Sequence, residues 1–361
     1  MNTEQPSRKT PGMAGLASRL SLAALAALLI LTILGPPLGG LLWIMDLVAN
    51  LAAQASLIAI GALGLGAWIG FRGRGRGPVR RWWLAMLASI ALLVQGAVLI
   101  PGRSVWVDRA PAKQQGPGTI RVLAFNAFSE NTTPRRAIEL VERSGADVVV
   151  LLEQRRKYAL ESEAIGERYP SIEISRPIDG RAPWMLVISR WPARSMGQAE
   201  GFAQTPGCLP VLIESPMGSF GVVAIHAQSP RGSTPWRRGN ESVRAAADAV
   251  ERFEQMGVAA IVVGDLNGTP GGWRSRWLGR TSGLARLKPV LSATGTWPAK
   301  SPWPLSVAID DVWAPRGWRC TGWETIGAPD YGGSDHRAVL VEILPDGGLA
   351  SAAEPGNDQP G

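Results

Sequence analysis

The distribution of apolar and polar positions divides the chain into two unlike parts. Leu20 to Met45, Leu47 to Phe71 and Trp82 to Gly102 carry no formal charge. Each run is long enough for the roughly 20 apolar residues that cross a bilayer. The pattern predicts three transmembrane helices, over about 20–40, 52–71 and 82–101, within a membrane region 1–102. Gly35, Pro36 and Pro37 interrupt the first run, which also reads as a span to Leu34 followed by an interfacial piece around Leu41–Met45. Arg19–Leu34 has the basic start and apolar middle of a signal peptide. Two further apolar runs follow it, so the reading kept is an anchor.

From Thr119 the pattern shortens and alternates. Ile120–Asn126 is apolar on both faces, as a central strand is, and Asp147–Leu152 is a second, very apolar strand. Between them Thr133 is placed to cap a helix with Pro134 in its first turn, ending at Ser144 before Gly145. Helices are predicted over Arg155–Arg168 and Pro235–Met256, with one or two turns at Trp273–Leu278. Further strands are predicted at Met185–Ser189, Val211–Glu214, Phe220–His226, Val258–Gly264, Ile309–Ala314, Trp318–Thr325 and Ala338–Ile343. This mixture makes 119–344 one α/β domain, with helices outside its sheets. It follows a Pro/Gly/Gln-rich linker at 103–118 and precedes a tail at 345–361 whose composition predicts disorder.

Charge adds direction. The net charge is +8, and Arg72, Arg74, Arg76, Arg80 and Arg81 crowd one short loop between the second and third runs. Basic loops stay on the cytoplasmic side. The N-terminus is then cytoplasmic, and everything after Gly102 is extracytoplasmic in a multi-pass cell-membrane protein. The Gly-Arg loop lacks the Lys-Ser/Thr ending of a phosphate-binding loop. The remaining positive charge suits phosphate-rich substrates or anionic lipid heads. Cys208 and Cys320 are the only cysteines. They read equally as a disulfide or as two buried thiols.

The chemistry concentrates at strand ends. Only two histidines exist. His226 closes GVVAIH and His336 stands in GGSDHRAVLVEI. Asn126 closes RVLAFN, Glu153 follows DVVVLL, and Asp265 and Asn267 lie in VVGDLNGTP. Strand ends followed by loops are where α/β folds place their sites. Glu153, Asp265, Asp310 and Asp335 are acids of the same set, and grouped carboxylates call for a compensating cation. Oxygen donors with few nitrogens and no thiolate favour Mg2+ or Mn2+.

These motifs, in order through the whole soluble part, resemble the endonuclease/exonuclease/phosphatase superfamily of DNase I-like hydrolases. The series is RVLAFNAF, DVVVLLEQ, MLVISRWP, VVAIHAQSP, VVGDLNGTP, AIDDVW and GGSDHRAVLVEI. With the TWP at Thr296–Pro298 and the apolar N-terminus, the chain is most similar to the membrane-anchored bacterial branch. The resemblance implies a four-layer α/β sandwich, two mixed β-sheets flanked by helices. It implies metal-assisted attack of water on a phosphodiester or phosphomonoester. It assigns Glu153 as principal metal ligand beside Asn126, with Asp335 near the metal or a second metal position. It gives Asp265 the attacking water, Asn267 the phosphate, and His226 and His336 the phosphoryl oxygens. Asp310, favoured over its neighbour Asp311, orients His336. None of the three tyrosines, at 158, 169 and 331, lies where apurinic endonucleases carry a catalytic one, which argues against abasic-site repair.

The substrate classes that remain are a lipid head group, a small phosphorylated metabolite and extracellular DNA or RNA. A catalytically silent, membrane-anchored binding protein is the non-enzymatic alternative. The expected partners are the substrate and the lipid bilayer, with no obligate protein partner. Trp297 and Trp303, in a Pro-rich loop, are candidates for substrate or membrane contact.

Overall fold

The computed structural model describes residues 13–72, 84–92, 118–345 and 349, apart from 155–157, 159–160, 176–183, 198, 200, 203–204, 290–291, 293 and 303–304. Most of the arginine loop (73–81), most of the third apolar run, the linker up to 117, most of the tail and Trp303 lie outside the described residues.

Two six-stranded sheets form the centre. One holds β1 (Ile120–Asn126), β2 (Val148–Leu152), β3 (Ser171–Ile174), β4 (Met185–Ser189), β11 (Arg319–Ile326) and β12 (Ala338–Leu344), in the order β11-β12-β1-β2-β4-β3. The other holds β5 (Ala193–Ser195), β6 (Cys208–Ser215), β7 (Gly218–His226), β8 (Ala260–Asp265), β9 (Leu284–Arg286) and β10 (Asp310–Pro315), in the order β5-β6-β7-β8-β10-β9. Each sheet is mixed: β1 pairs parallel with β2 and antiparallel with β12, and β7 pairs parallel with β8 and antiparallel with β6.

Strand alternation explains the layering, because successive side chains face opposite sides of a sheet. Ile120, Val122 and Ala124 of β1 meet Phe220, Val222 and Ala224 of β7 and Ile261 and Val263 of β8 in one buried cluster between the sheets. The opposite faces pack outward. Val223, Ile225 and Val262 pack with Val243, Ala246 and Phe253 of the long helix Ser233–Gln255. Leu123, Phe125 and Val149 pack with Ile138, Leu140 and Val141 of the helix Pro134–Ser144. Each fully buried aliphatic side chain contributes about 1.5–3 kcal/mol.

Helices in chain order are α1 (Met13–Leu38), α2 (Trp43–Arg72), α3 (84–92), α4 (Pro134–Ser144), α5 (Glu163–Arg168), α6 (Ser233–Gln255) and α7 (Trp273–Thr281). Several differ from expectation. Of the helix expected over Arg155–Arg168, 155–157 and 159–160 lie outside the described residues, Tyr158 is helical, and a turn at Glu161 precedes α5. Thr133 precedes α4 but makes no capping bond; its hydroxyl donates to Asn131 Oδ1 at 3.1 Å instead. The short edge strands β3, β5 and β9 have too few residues to carry a readable alternation.

The N-terminal part is also revised. α1 runs through Pro36 and Pro37 to Leu38, and α2 starts at Trp43, well before the expected second span. Among the described residues no single helix is long and apolar enough to cross a membrane. Leu22–Leu38 and Trp43–Ala52, bent by 114° to one another, meet the apolar criterion together.

Candidate active site

The residues that face inward between the sheets change character at one end. In β1 the inward row Ile120, Val122, Ala124 continues into Asn126; in β7, Phe220, Val222, Ala224 continues into His226. In β8, Ile261 and Val263 lead to Asp265, and in β10, Ala314 and Val312 lead to Asp310. His226 pairs with Asp265 across the β7–β8 ladder, and Asp265 with Asp310 across β8–β10. Residues directly opposite point to the same face, so three polar side chains stand in one row on the inner face of this sheet. The strands approach closely there: a Cβ on Gly264, at φ 137°, would lie 2.1 Å from Ile225 O.

Each sheet also supplies a loop residue. Glu153, just past β2 of the other sheet, and Asn267, just past β8 of this one, have positive φ of 58° and 45°. Such conformations cost of order 1 kcal/mol or more and cluster at functional sites. The turn after β2 brings Glu153 across to β7: His226 Nε2 lies 3.2 Å from Glu153 Oε1. Asn126 Nδ2 donates to Glu153 Oε1 at 3.0 Å and to Asp265 Oδ2 at 3.2 Å. Ser129 N donates to Glu153 Oε2 at 2.9 Å. Asp265 also accepts from Asn267 N at 2.7 Å and Asn267 Nδ2 at 3.1 Å.

His336 enters from the turn before β12. Its Nδ1 lies 2.8 Å from Asp310 Oδ2, and its backbone N–H donates to Ser334 Oγ at 2.9 Å. Ser334 in turn donates to Asn126 O at 2.7 Å, tying this turn to the end of β1. Asp335 is more exposed; its Oδ1 lies 3.8 Å from His336 Nε2, and its Oδ2 accepts from Trp297 Nε1 at 2.8 Å. The structure thus brings together Asn126, Glu153, His226, Asp265, Asn267, Asp310 and His336, with Asp335 on the rim.

Asp311 faces the other way. It is fully buried and accepts from Arg286 Nε at 2.7 Å. Sequence reasoning missed Ser334 and Thr296, whose hydroxyl accepts from Ile309 N and Asp310 N at 3.0 and 3.2 Å. It also missed Arg274, a buried guanidinium that donates to Leu266 O, Asn267 O and Asn240 Oδ1 and so fixes the loop after β8. Nothing in the local sequence distinguishes Arg274 from a solvated helix arginine. Cys208 and Cys320 are free, buried thiols in different core clusters, and burial pushes both up to about 12.

The electrostatics follow from burial and neighbours. Burial, then the Asp310 carboxylate, pushes Asp265 up to about 6. Burial disfavours a charged His336, but Asp310, Asp265 and Asp335 outweigh it and raise the imidazole to about 10. Burial likewise opposes charge on His226, and Glu153 and Asp265 reverse that and raise it. For Glu153, burial acts upward, while His226, Asn126 and Ser129 together hold the carboxyl well below the usual range. Asp265, Asp310 and His336 each offer a ligand atom within 4.8 Å of the others, and Asp310 Oδ1 is buried without a hydrogen-bond partner. Asp335 Oδ1 is likewise buried without a hydrogen-bond partner, and the oxygens of Glu153, Asn126 and Asp335 are a donor set of the kind a hard divalent cation takes.

The endonuclease/exonuclease/phosphatase family model matches residues 123–336, which contain every residue of this site. The chain belongs to that family. Its similarity to solved structures is distant. An endonuclease/exonuclease/phosphatase from Beutenbergia cavernae DSM 12333 is 19% identical with TM-score 0.48, over 63% of this chain and 71% of that one. The human nocturnin catalytic domain is 14% identical with TM-score 0.48, over 63% and 94%. Sphingomyelinase C from Streptomyces griseocarneus is 19% identical with TM-score 0.43, over 62% and 99%. None of the curated proteins matches the chain.

Proposed function

We propose that this family member is a membrane-anchored phosphoesterase, dependent on Mg2+ or Mn2+, that hydrolyses a phosphodiester or phosphomonoester at the outer face of the cell membrane. One observation carries the reading: two imidazoles, three carboxylates and two carboxamides converge at the polar end of the inter-sheet core. Asp265 takes the proton of the attacking water as its oxygen bonds to phosphorus and the bond to the leaving oxygen breaks. A carboxyl titrating near neutrality suits that task. His336, held as an imidazolium by Asp310, and His226, whose proton affinity Glu153 and Asp265 raise, turn N–H groups to the phosphoryl oxygens, where charge grows. Asn267 orients Asp265 and offers its amide to the same oxygens. The residues to hold the cation are Glu153 and Asn126, with Asp335 at the rim; when bound it would neutralise phosphoryl charge and stabilise the leaving oxyanion.

Membrane attachment is supported by the surface of the hairpin formed by α1 and α2. Ile30, Leu41, Ile44 and Ile58 are 44%, 74%, 50% and 65% exposed, which water disfavours and lipid does not. The hairpin's turn rests on the catalytic domain. That agrees with a cytoplasmic N-terminus, a turn on the outer face and a domain delivered to the same side by a third span.

A nuclease would call for a basic groove. Among the described residues, the cleft over the site carries Glu130, Glu153, Glu173, Glu241, Asp265 and Asp335 against Arg231, Arg238 and the two imidazoles of the site, His226 and His336. This favours a small or lipid-linked phosphoester over a polyanion. The deciding experiment is turnover of bis-p-nitrophenyl phosphate, supercoiled plasmid and phospholipid vesicles by the purified full chain, with Mg2+, with EDTA and as Asp265→Ala. Metal-dependent turnover lost in the variant establishes the enzyme, and the preferred substrate fixes its class. No turnover, with no Mg2+ or Mn2+ binding by calorimetry, would leave the binding-protein alternative.

A further inference from the structure

The cleft above the site, about 1410 Å³, is not walled by the catalytic domain alone. Trp43, Leu47, Asn50 and Leu51 of α2 line it together with His226, Asp265, Asn267 and His336. Trp43, Leu47 and Leu51 are four residues apart, so they lie along one face of the helix. Leu47 and Leu51 are 37% and 46% exposed.

The adjacent face of α2 is fastened down. Asp46 is fully buried and accepts from Trp236 Nε1 at 2.9 Å and from Trp273 N at 2.6 Å. Asn50 Oδ1 accepts from Thr269 N at 2.6 Å, and its backbone oxygen accepts from the Thr269 hydroxyl at 3.0 Å. Arg276 donates to Pro36 O at the end of α1. Gly40, in the turn, sits against the Trp273 indole so closely that a Cβ there would lie 2.7 Å from the ring. These anchors all reach the segment that follows Asp265 and Asn267, or the helix packed on it, and Arg274 in that segment holds the carbonyls of Leu266 and Asn267. The hairpin is therefore set in fixed relation to the reacting centre, and it shows the cleft a row of apolar side chains.

We infer that the α1–α2 hairpin is a specificity wall of the active site, which seats the long apolar chain of a lipid phosphoester along Trp43, Leu47 and Leu51 while the phosphate reaches Asp265 and the histidines. This rests on the phosphoesterase reading and narrows its substrate. Two observations select the occupant. Exposed apolar side chains recur on the leucine face of α2, with Ile44 three residues before Leu47 and Ile58 seven after Leu51, so a chain leaving the cleft meets further apolar side chains. Acidic side chains predominate among the charged groups of the cleft, which suits a ligand whose bulk is uncharged. A sugar phosphate or a nucleotide would gain nothing from the leucines.

The test uses the full chain in mixed micelles at one detergent concentration, with Mg2+. Two substrates share a leaving group: ethyl p-nitrophenyl phosphate and hexadecyl p-nitrophenyl phosphate. Partition into micelles is common to all proteins, so the readout is the hexadecyl-to-ethyl ratio of kcat/KM in Leu47→Gln/Leu51→Gln against the parent. A fall of at least tenfold is expected; a ratio within twofold of the parent's overturns the inference. The milder Leu47→Ala/Leu51→Ala, read the same way, replaces the first variant should it not fold. Failure of the parent on both esters would count against the diesterase form of the underlying reading and leave the wall itself to a binding measurement. The inert hexadecyl and ethyl phosphonates then decide it by equilibrium binding. A preference for the long chain that drops at least tenfold in the variant supports the wall, and equal binding by parent and variant overturns it.

Discussion

The space between the two sheets closes differently at its two ends. At one end Phe220, which begins the inward row of β7, meets Trp191 and Trp318 edge-on, with ring centroids 6.3 and 6.4 Å apart. At the other end the same row finishes in His226, beside Asp265 and Asp310. Both ends belong to the same strands and obey the same alternation. One is dry and aromatic, and its packing stabilises the fold. The other groups buried carboxylates, among which burial and the neighbouring Asp310 raise the proton affinity of Asp265, and that grouping works against folding. Charge held together at such a cost has its return in chemistry or in a bound cation. Substitutions at the two ends should therefore separate activity from stability.

The largest contrast is between Asp265→Ala and Phe220→Ala. Removing the group proposed to take the proton should lower kcat by about 10³-fold or more, within the span of general-base contributions. Thermal stability should hold or rise, since a desolvated acid is lost. Phe220 is fully buried, and its truncation should cost about 3–5 kcal/mol while kcat of the folded fraction stays near the parent's. Turnover of bis-p-nitrophenyl phosphate and urea unfolding of each variant read both axes. Equal loss of activity in the two would dissolve the distinction.

Next comes Asp310 against Asp311, adjacent in sequence and on opposite faces of β10. Asp310→Asn keeps the shape but removes the charge that holds His336 protonated, so kcat should fall about 10²-fold with little loss of stability. Asp311→Asn strips the buried Arg286 of its counter-ion and should cost about 3 kcal/mol of stability, with kcat within a few-fold of the parent. The reverse pattern would mean that the row facing the site has been misread.

This pair also marks what the sequence discloses. Strand alternation is enough to find the main strands and to put Asn126, His226 and Asp265 at strand ends, while the pairing of two sheets and the part of Asp310 were implied by the family resemblance. Glu153 was legible because an acid ending a wholly apolar strand is expensive without a partner. The contribution of α2 was not legible. Asp46 and Asn50 look like two polar interruptions in an apolar region, and their partners Trp236, Thr269 and Trp273 lie about 190–227 positions away. Pairings at that distance leave no periodic trace. Arg274 and Ser334 escape for the same reason: each acts through backbone carbonyls, which any sequence supplies.

A smaller effect separates the carboxylates by pH. Asp265 must be ionised to take a proton, and burial with Asp310 pushes it up to about 6, so kcat/KM should rise with pH through that group's ionisation. A bound cation favours the ionised form and lowers the midpoint. At saturating Mg2+ the rising limb should lie below pH 6, and at limiting Mg2+ it should move up toward that value. A midpoint independent of Mg2+ would place the titrating group away from the cation.

The smallest effect distinguishes backbone from side chain at Asn267. Its φ of 45° is one that asparagine and glycine tolerate and alanine resists. Its amide donates to Ala227 O at 3.0 Å and to Asp265 Oδ2 at 3.1 Å. Asn267→Gly and Asn267→Ala both delete these bonds, and only the second adds steric strain. The glycine variant should therefore be the more stable by about 1 kcal/mol, while both lose the same factor in kcat. If the alanine variant lost the more activity, the loop's conformation, and not the amide, would be the part that serves the reaction. The polar end would then depend on strained backbone as much as on its row of side chains, and the aromatic end, where the positive-φ positions leading into β7 and β8 are glycines, Gly218 and Gly257, would be the control.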